Sequence, residues 1–589
     1  MSARSIPRTL SIYALGGVLC ATALAGHFQL WRADLDVPLE YTARGDAFFN
    51  YMVVKTLLEQ GWVHDNPALG APGAMQLHDF PMTNDLNLLL IKALGLVVPD
   101  PFRVVNLFYL ATFVLTTWTA LFAFRRCGVS DPLAVGGAMA FSFLPYHFYR
   151  GQFHLFLSGY HAVPLVALAA LWIAEGRPLF FASDGRGGLR LRFGAEAVIA
   201  LSAGVLLGGS DVYYAFFGAF LVVVAGLMAG LRFRSRAGVL DAIALLVMIC
   251  GLVFASVAPN LLHGWRSGFN PAPTGFSHIE ADIYGLRIAN LLKPGPGHRI
   301  YTLIHPGYTG RPANENRYSY LGIPGALGFL ALLLALLTNR PLAGRLEPLG
   351  SLSRLNIAAV LLGTKAGFGL LFAGMVSAQI RAYNRISVVI AFYSILALLL
   401  LLEALLERMS RAGPRRAARA VFTALLVVSG MVTQVPLTAR PDHDALAAAF
   451  LHDRAFIRQI EAALPPGSMV FQLPYLAMPE TFEKPHRMKA YGHLRGYLHS
   501  RRLHWSYGSI RGREVARWQQ QVASEPAEVL VRTLTAAGFR GLYIDRFGYS
   551  DGAAGLEGRL RSILGRPPLR SGDDRFHFFL LRPAEAGPP

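Results

Sequence analysis

The chain has 589 residues, 53% of them hydrophobic and 15% charged, with a mean hydropathy of +0.39. That balance excludes an ordinary soluble globular protein and points to a polytopic α-helical membrane protein. The formal net charge of +19 does not imply nucleic acid as a partner, because much of the excess lies in short loops between apolar runs and no basic-aromatic module of the usual kinds accompanies it.

A window of about 20 residues gives about eleven spans. They fall at 10–29, 104–124, 133–148, 160–174, 195–209, 212–231, 239–258, 321–338, 356–376, 386–406 and 421–435. The first run follows Arg4 and Arg8 like a signal peptide, yet no convincing small-residue cleavage site follows it, so it reads as an uncleaved span. The three cysteines lie in spans (Cys20, Cys250) or in a short basic loop (Cys127), which leaves no disulfide framework and no thiolate metal site.

Between the first two spans, the loop 31–103 is too long and polar to be a mere connection. Gly45-Asp46 precedes a helical pattern over 47–59, with Phe48, Phe49, Met52, Val53, Leu57 and Leu58 on its apolar stripe and Gly61 as its stop. The expectation is an amphipathic helix on the membrane surface with a carboxylate at its mouth. Asp46 is then either a helix cap, accepting free backbone N–H groups, or a general base or metal ligand. Asp34, Asp36, Glu40, Asp79 and Asp85 are weaker acidic candidates in the same loop.

The connection between the third and fourth spans reads Pro145-Tyr146-His147-Phe148-Tyr149-Arg150, followed by His154 and His161. Arg150 and His154 suit phosphate or sugar recognition. Asp211 opens the sixth span as a cap or a binding residue. A second long loop, 260–320, offers Lys293, His298, Arg299, His305, Arg311 and Arg317 among Tyr301, Tyr308, Tyr318 and Tyr320. Within it, Lys293 and Arg299 are candidate phosphosugar contacts. Lys365 lies in an apolar, Gly-rich span, where an interior or cavity-facing role is the expectation. Arg381 and Arg385 flank Tyr383-Asn384 before the tenth span, on the face where cations are disfavoured, which suggests an anionic partner such as a lipid phosphate.

Arginines at 125, 126, 177, 186, 190, 192, 232, 234, 236, 340, 345 and 354 and a cluster over 408–419 all fall on the side of the N-terminus. That side is therefore cytoplasmic, and both long loops and the tail face outward. The tail, 436–589, carries charges throughout and alternates helix signals (455–464, 527–537) with strand signals (469–473, 541–545, 576–581). It is expected to be a small periplasmic α/β domain beside a transmembrane module, 1–435. Its aromatic and basic run, from Tyr491, His493, Arg495 and Tyr497 to His504, Trp505, Tyr507, Arg511 and Arg513, suits a glycan surface or an ordinary solvated one.

The chain resembles the YfhO-like bacterial membrane proteins and, more widely, the GT-C superfamily of glycosyltransferases. The resemblance rests on Gly45-Asp46, Gly70-Ala71-Pro72-Gly73, Pro145 to Arg150 with His154-Leu155, and Ile380-Arg381-Ala382-Tyr383-Asn384-Arg385. It implies a GT-C-like fold in the bacterial inner membrane, a polyprenyl-phosphate-linked sugar donor and a cell-envelope glycan or lipid acceptor. It also implies a catalytic acidic residue, which falls on Asp46. The paired acidic motif of many members is absent, since Ala47 follows, so a divalent metal (Mg or Mn) is left open and no cofactor is assigned. The other readings from the residues are a lipid-linked sugar translocase, which would also want charges in an apolar bundle, and a noncatalytic envelope assembly protein.

Overall fold

The computed structural model describes residues 5–41, 45–184, 188–304, 315–338, 343–480 and 485–581. Arg44, Arg186, His305, Tyr308, Arg311 and Arg340 lie outside them. Among the described residues, seven helices are long and apolar enough to cross a membrane. The expected set of about eleven includes shorter helices that do not reach that length.

The helices that position the site are, in chain order, α1 (Ser5–Phe28), α2 (Ala47–Gln60), α3 (Asp85–Gly95), α4 (Pro101–Arg126), α5 (Asp131–Ser142), α6 (Pro145–Arg150) and α7 (Val163–Ala174). Next come α8 (Ala195–Gly208), α9 (Val212–Phe233), α10 (Arg236–Ser267), α11 (Gly322–Thr338), α12 (Leu349–Gly363), α13 (Phe368–Met375), α14 (Ser387–Glu407) and α15 (Ala412–Ser429). Their ends follow local chemistry. Asp100 caps α4 by accepting from Phe102 N and Arg103 N at 3.0 and 2.9 Å, with Pro101 in the first turn. The expected span 133–148 is two helices, because Phe143 and Leu144 leave the helical path just before Pro145, whose ring disfavours helical backbone at the residue ahead of it.

Two further expectations about the bundle are corrected. The second long loop does not begin at 260, since α10 continues through Pro259 to Ser267 and buries Asn260 and Gly264. The expected span 356–376 is broken between α12 and α13, with Ala366 at φ 57°. Backbone groups freed there pair with Leu286, whose N–H donates to Gly363 O at 2.7 Å and whose carbonyl accepts from Lys365 N at 3.0 Å. A broken helix is tolerated because another part of the chain takes its hydrogen bonds.

The centre of the bundle is α14, buried on every face from Ser387 to Ala397. It crosses α11 so closely that a Cβ on Gly328 would stand 1.7 Å from Ser394 O. Small residues at a helix crossing bring backbones together where no hydrophobic effect drives helices toward each other.

Beyond α15, α16 (His443–Ala463), α17 (Leu494–His499), α18 (Glu514–Ala523), α19 (Ala527–Ala536) and α20 (Ala554–Leu564) surround a five-stranded sheet. Its strands are β1 (Met469–Leu473), β2 (His504–Trp505), β3 (Phe539–Asp545), β4 (Leu569–Arg570) and β5 (Phe576–Leu580), in the order β2-β1-β3-β5-β4. β1 pairs in parallel with β2 and β3, and β5 pairs antiparallel with β3 and β4. The three strands and the 527–537 helix expected in the tail agree with these to within two residues, whereas the helix expected over 455–464 begins twelve residues earlier, at His443, where Asp442 caps it by accepting from Ala445 N.

This α/β unit is welded to the segment between α1 and α4. Trp505 N donates to Ala68 O at 2.9 Å, Ala71 N to Trp505 O at 3.0 Å and Gly70 N to Tyr507 O at 3.0 Å, so the 68–71 stretch extends the sheet beyond β2. Helix α2 is no surface helix: Ala47 to Leu57 are all buried. Buried Lys55 donates to Tyr497 O and Ser500 O at 2.9 and 2.7 Å. The aromatic and basic run of the tail is correspondingly not a solvated patch, since Tyr491, His493, Arg495, Tyr497, Trp505 and Tyr507 are buried.

Candidate active site

A cavity of about 490 Å³ opens where the 45–81 segment, the start of α9, the end of α10 and the turn before α14 meet. Asp46, Asp79, His154, Arg381 and Arg385 all line it, so five of the ten residues singled out in the sequence share one space. Leu157, Val212, Val257, Leu261, Phe269 and Ile380 make much of the rest of its wall apolar.

Asp46 is held at the mouth by backbone geometry. Gly45 adopts φ +55°, and a Cβ there would stand 2.8 Å from the Phe153 ring. Only glycine meets both demands without strain. Asp46 occupies the residue before α2 but its side chain caps nothing. Instead its Oδ2 lies 3.3 Å from His154 Nδ1, with the carboxylate side chain 47% exposed.

A buried polar network fixes the strand of chain that presents His154. Asn50 of α2 donates to the carbonyls of Gln152 and Phe153, both at 3.1 Å. Tyr51 donates to Gln152 Oε1 at 3.0 Å, and Gln152 Nε2 to Asn106 Oδ1 at 2.7 Å. Glu40 Oε2 accepts from the Gln152 and Phe153 N–H groups at 2.6 and 3.2 Å. Gly151, at φ +49°, leaves the room this carboxylate occupies, for a Cβ would stand 2.2 Å from Glu40 Oε1. Glu40 therefore positions the site from behind.

On the other side of the imidazole, His154 Nε2 lies 3.4 Å from Glu315 Oε1. The second Glu315 oxygen stands 2.9 Å from Arg150 Nη2 and 3.9 Å from Arg385 Nη2. Arg150 is wholly buried, its guanidinium centred 5.0 Å from both the Tyr146 and Tyr318 rings. Burial alone would raise the Glu315 carboxyl, but Arg150, His154 and Arg385 outweigh it and hold the group well below the usual carboxylate range. Arg385 lies 4.1 Å over the Tyr213 ring, leaving Glu315 as its nearest carboxylate. Arg381 pairs closely with Glu280 at 2.6 Å and lies over Phe276.

Of the remaining candidates, Asp79 is otherwise engaged and the others lie outside the cavity. Asp79 lines the cavity but is committed to a bidentate pair with Arg513 of the α/β unit, both contacts 2.6 Å, and to Asn270 Nδ2 at 3.0 Å. Asp211 caps α9, accepting from Tyr213 N at 2.9 Å. Lys365 does not line the cavity around Asp46: it sits in the break between α12 and α13, 51% exposed, and pairs with Asp282 at 3.1 Å. Lys293 and Arg299 are exposed and do not line the cavity around Asp46.

Sequence reasoning missed Glu315, the residue that ties the cluster together. The signal was available: among 260–320 the acidic residues are Glu280, Asp282 and Glu315. They pair with Arg381, Lys365 and Arg150 respectively. Among the described residues, no three His, Cys, Asp or Glu side chains converge as a cation cage.

Residues 83–402, more than half of the chain, match the model of a family described as DUF6311, a domain of unknown function. The chain belongs to the DUF6311 family. No curated protein matches this DUF6311 member by sequence. Among solved structures it is similar to ArnT from Cupriavidus metallidurans bound to undecaprenyl phosphate, at 14% identity and a TM-score of 0.50 over 99% of each chain. Apo ArnT from the same organism gives 12% identity and 0.50 over 100% of each. The apo oligosaccharyltransferase of Archaeoglobus fulgidus gives 13% and 0.44, over 91% of this chain and 69% of that one. The likeness to ArnT at this identity shows the fold alone: the DUF6311 protein shares the helical architecture of ArnT, and seven of its described helices are long and apolar enough to cross a membrane.

Proposed function

We propose that the protein is an inverting membrane glycosyltransferase that moves a sugar from a polyprenyl-phosphate carrier onto a cell-envelope glycan or lipid. One observation carries the reading: a half-exposed carboxylate, Asp46, and two guanidiniums, Arg381 and Arg385, share one cavity with otherwise largely apolar walls. A base, a cationic phosphate site and a greasy lining are what transfer from a lipid phosphate requires. The fold shared with ArnT, whose structure holds undecaprenyl phosphate, supports the choice of donor.

In this reading an acceptor hydroxyl oxygen attacks the anomeric carbon as the bond from that carbon to the carrier phosphate breaks. The hydroxyl proton passes to Asp46. The bonding electron pair leaves with the phosphate, where Arg385 and Arg381 stabilise the charge. His154, between Asp46 and Glu315, orients the base, while Arg150 and Glu315 set the field beneath it. Lys293 and Arg299 would contact the donor only if their loop moved over it. No step is assigned to a metal. In this reading the site faces the periplasm from the bacterial inner membrane, with the N-terminus cytoplasmic, an orientation that the arginine distribution supports. Kinship with the YfhO-like proteins is part of the same reading.

The test compares wild type with Asp46→Asn, at matched membrane levels, in a strain lacking the protein. Mass spectrometry of envelope glycans should show a sugar restored by wild type and missing with the variant, while lipid-linked precursor accumulates. Full restoration by the variant would remove Asp46 as the base and favour the translocase or assembly readings.

A further inference from the structure

A second cavity, about 520 Å³, lies away from the first, between α2, the start of α4 and the α/β unit. Four cationic side chains line it: Lys55 from α2, Arg454 and Arg458 from α16, and Arg501 just after α17. Four carboxylates line it too, but each is already engaged. Asp36 holds Arg103 by two contacts of 2.7 and 3.0 Å, outside the cation set. Asp100 caps α4. Glu461 Oε1 accepts from Ser500 Oγ and from the N–H groups of Arg501 and Arg502 at 2.9, 2.7 and 3.0 Å. Glu59 pairs with Lys55 at 3.2 Å and accepts from Tyr497 at 3.1 Å.

The three guanidiniums are left over. Among the described residues none of Arg454, Arg458 and Arg501 forms an ion pair, although Arg454 stacks 4.3 Å over Phe450. Burial and the neighbouring Arg458 pull Arg454 below its ordinary value, against the attraction of Asp100 and Asp36. The same field reaches His499, which lines the cavity, is 8% exposed and has no hydrogen-bond partner for its Nδ1. Burial first, then Arg454, Arg495, Lys55 and Arg458, holds that imidazole well below its usual value, and so neutral. A neutral ring with a spare nitrogen beside unpaired guanidiniums can share a ligand's proton while they bind its charge.

We infer that this cavity is a second anion site, built by Arg454, Arg458 and Arg501 around His499 to take a phosphate-bearing group. Guanidiniums bind phosphate bidentately, and a concave, partly desolvated wall strengthens each contact. The floor of the site is Lys55, on the same helix that begins beside Asp46, so an occupant rests on the element that carries the proposed base. The site does not depend on the transferase reading, because none of its residues lines the Asp46 cavity.

The experiment uses the purified full chain and two probes. Inorganic pyrophosphate is titrated by calorimetry, and native mass spectrometry counts phosphatidylglycerol retained after release from mixed phosphatidylcholine nanodiscs. Wild type should bind at least one probe, and Arg454→Gln/Arg458→Gln/Arg501→Gln should weaken that binding at least tenfold. Arg385→Gln, which alters only the first cavity, should leave unchanged the binding component that the triple variant loses, whatever it removes from the first cavity. Retention of lipid without pyrophosphate binding would make the source a headgroup; the reverse would make it a soluble or glycan-borne phosphate. Arg458→Gln alone, at an exposed position, keeps the test open if the triple variant does not fold. Equal binding by wild type and variants, no binding of either probe, or loss only in Arg385→Gln would overturn the proposal.

Discussion

Asp46 Oδ2 stands 3.3 Å from His154 Nδ1, although Asp46 occupies the position from which a carboxylate ordinarily caps a helix. Its side chain is spent on the cavity and not on α2.

That arrangement separates activity from stability. Asp46→Ala should change stability by less than about 0.5 kcal/mol, the ordinary range for an exposed position, while transferase activity falls about 10²- to 10⁴-fold. Asp211→Ala, which removes a working cap from α9, should instead cost about 1 kcal/mol. Thermal melts in detergent beside the glycan assay check both, and a large loss of stability in Asp46→Ala would return Asp46 to a structural role.

Arg150 depends on Glu315. With the guanidinium wholly buried and its close carboxylate 2.9 Å away, Glu315→Gln strands a positive charge between Tyr146 and Tyr318. Removing one partner of a buried pair costs about 3–5 kcal/mol, so a clear drop in melting temperature is expected. Replacing both residues together by Met and Gln should recover part of it. A melt indistinguishable from wild type would show that Arg150 finds its compensation elsewhere.

The pair Asp79–Arg513 joins the 45–81 segment to the α/β unit, and its pH dependence has a defined sign. Burial raises the Asp79 carboxyl, but hydrogen bonds from Arg513 and Asn270 outweigh it and hold the group below its ordinary value. A carboxyl lowered on folding contributes stability that is full above its unfolded value, about 3.9, and lost as pH falls through the folded one. The melting difference between wild type and Asp79→Asn should be constant from about pH 8 to 5 and shrink below about pH 4. Disappearance of the difference already near neutrality would contradict the assignment.

Helices α11 and α14 meet through Gly328. A methyl group there would collide with the Ser394 carbonyl, which is backbone and cannot rotate away. Gly328→Ala should destabilise by about 1–3 kcal/mol, the usual cost of overpacking, or lower the yield of folded protein. Gly374→Ala, where nothing stands within 4 Å, should leave both unchanged.

Much of this was legible in the sequence because it depends on local rules. Hydropathy located the long helices α1, α4, α9, α10 and α14, since twenty apolar residues have few alternatives to a span. Asp46, a carboxylate ahead of the 47–59 helical pattern, and Arg381 with Arg385, on a face where cations are disfavoured, stood out in the sequence, and they meet in one cavity. The break after Gly363 was not legible: 356–376 is apolar apart from Asn356, Thr364 and Lys365, and what interrupts it is Leu286, far away in the chain. Lys365, expected inside, is carried by that break to an exposed loop.

The sequence by itself determined that the chain is a helical membrane protein with a polar α/β tail, because composition and periodicity act residue by residue along the chain. Only the tertiary structure decided which charges meet. The burial of α2 follows from the α/β unit packing on it, through Tyr497 and the sheet edge at Trp505, and no pattern within 47–59 encodes that cover. Glu315 is marked in the sequence only as one of three acidic residues in 260–320, and nothing local says that it stands among Arg150, His154 and Arg385. A charge is tolerated in such an interior only beside its counter-charge, and which residues become neighbours is settled by how the helices pack.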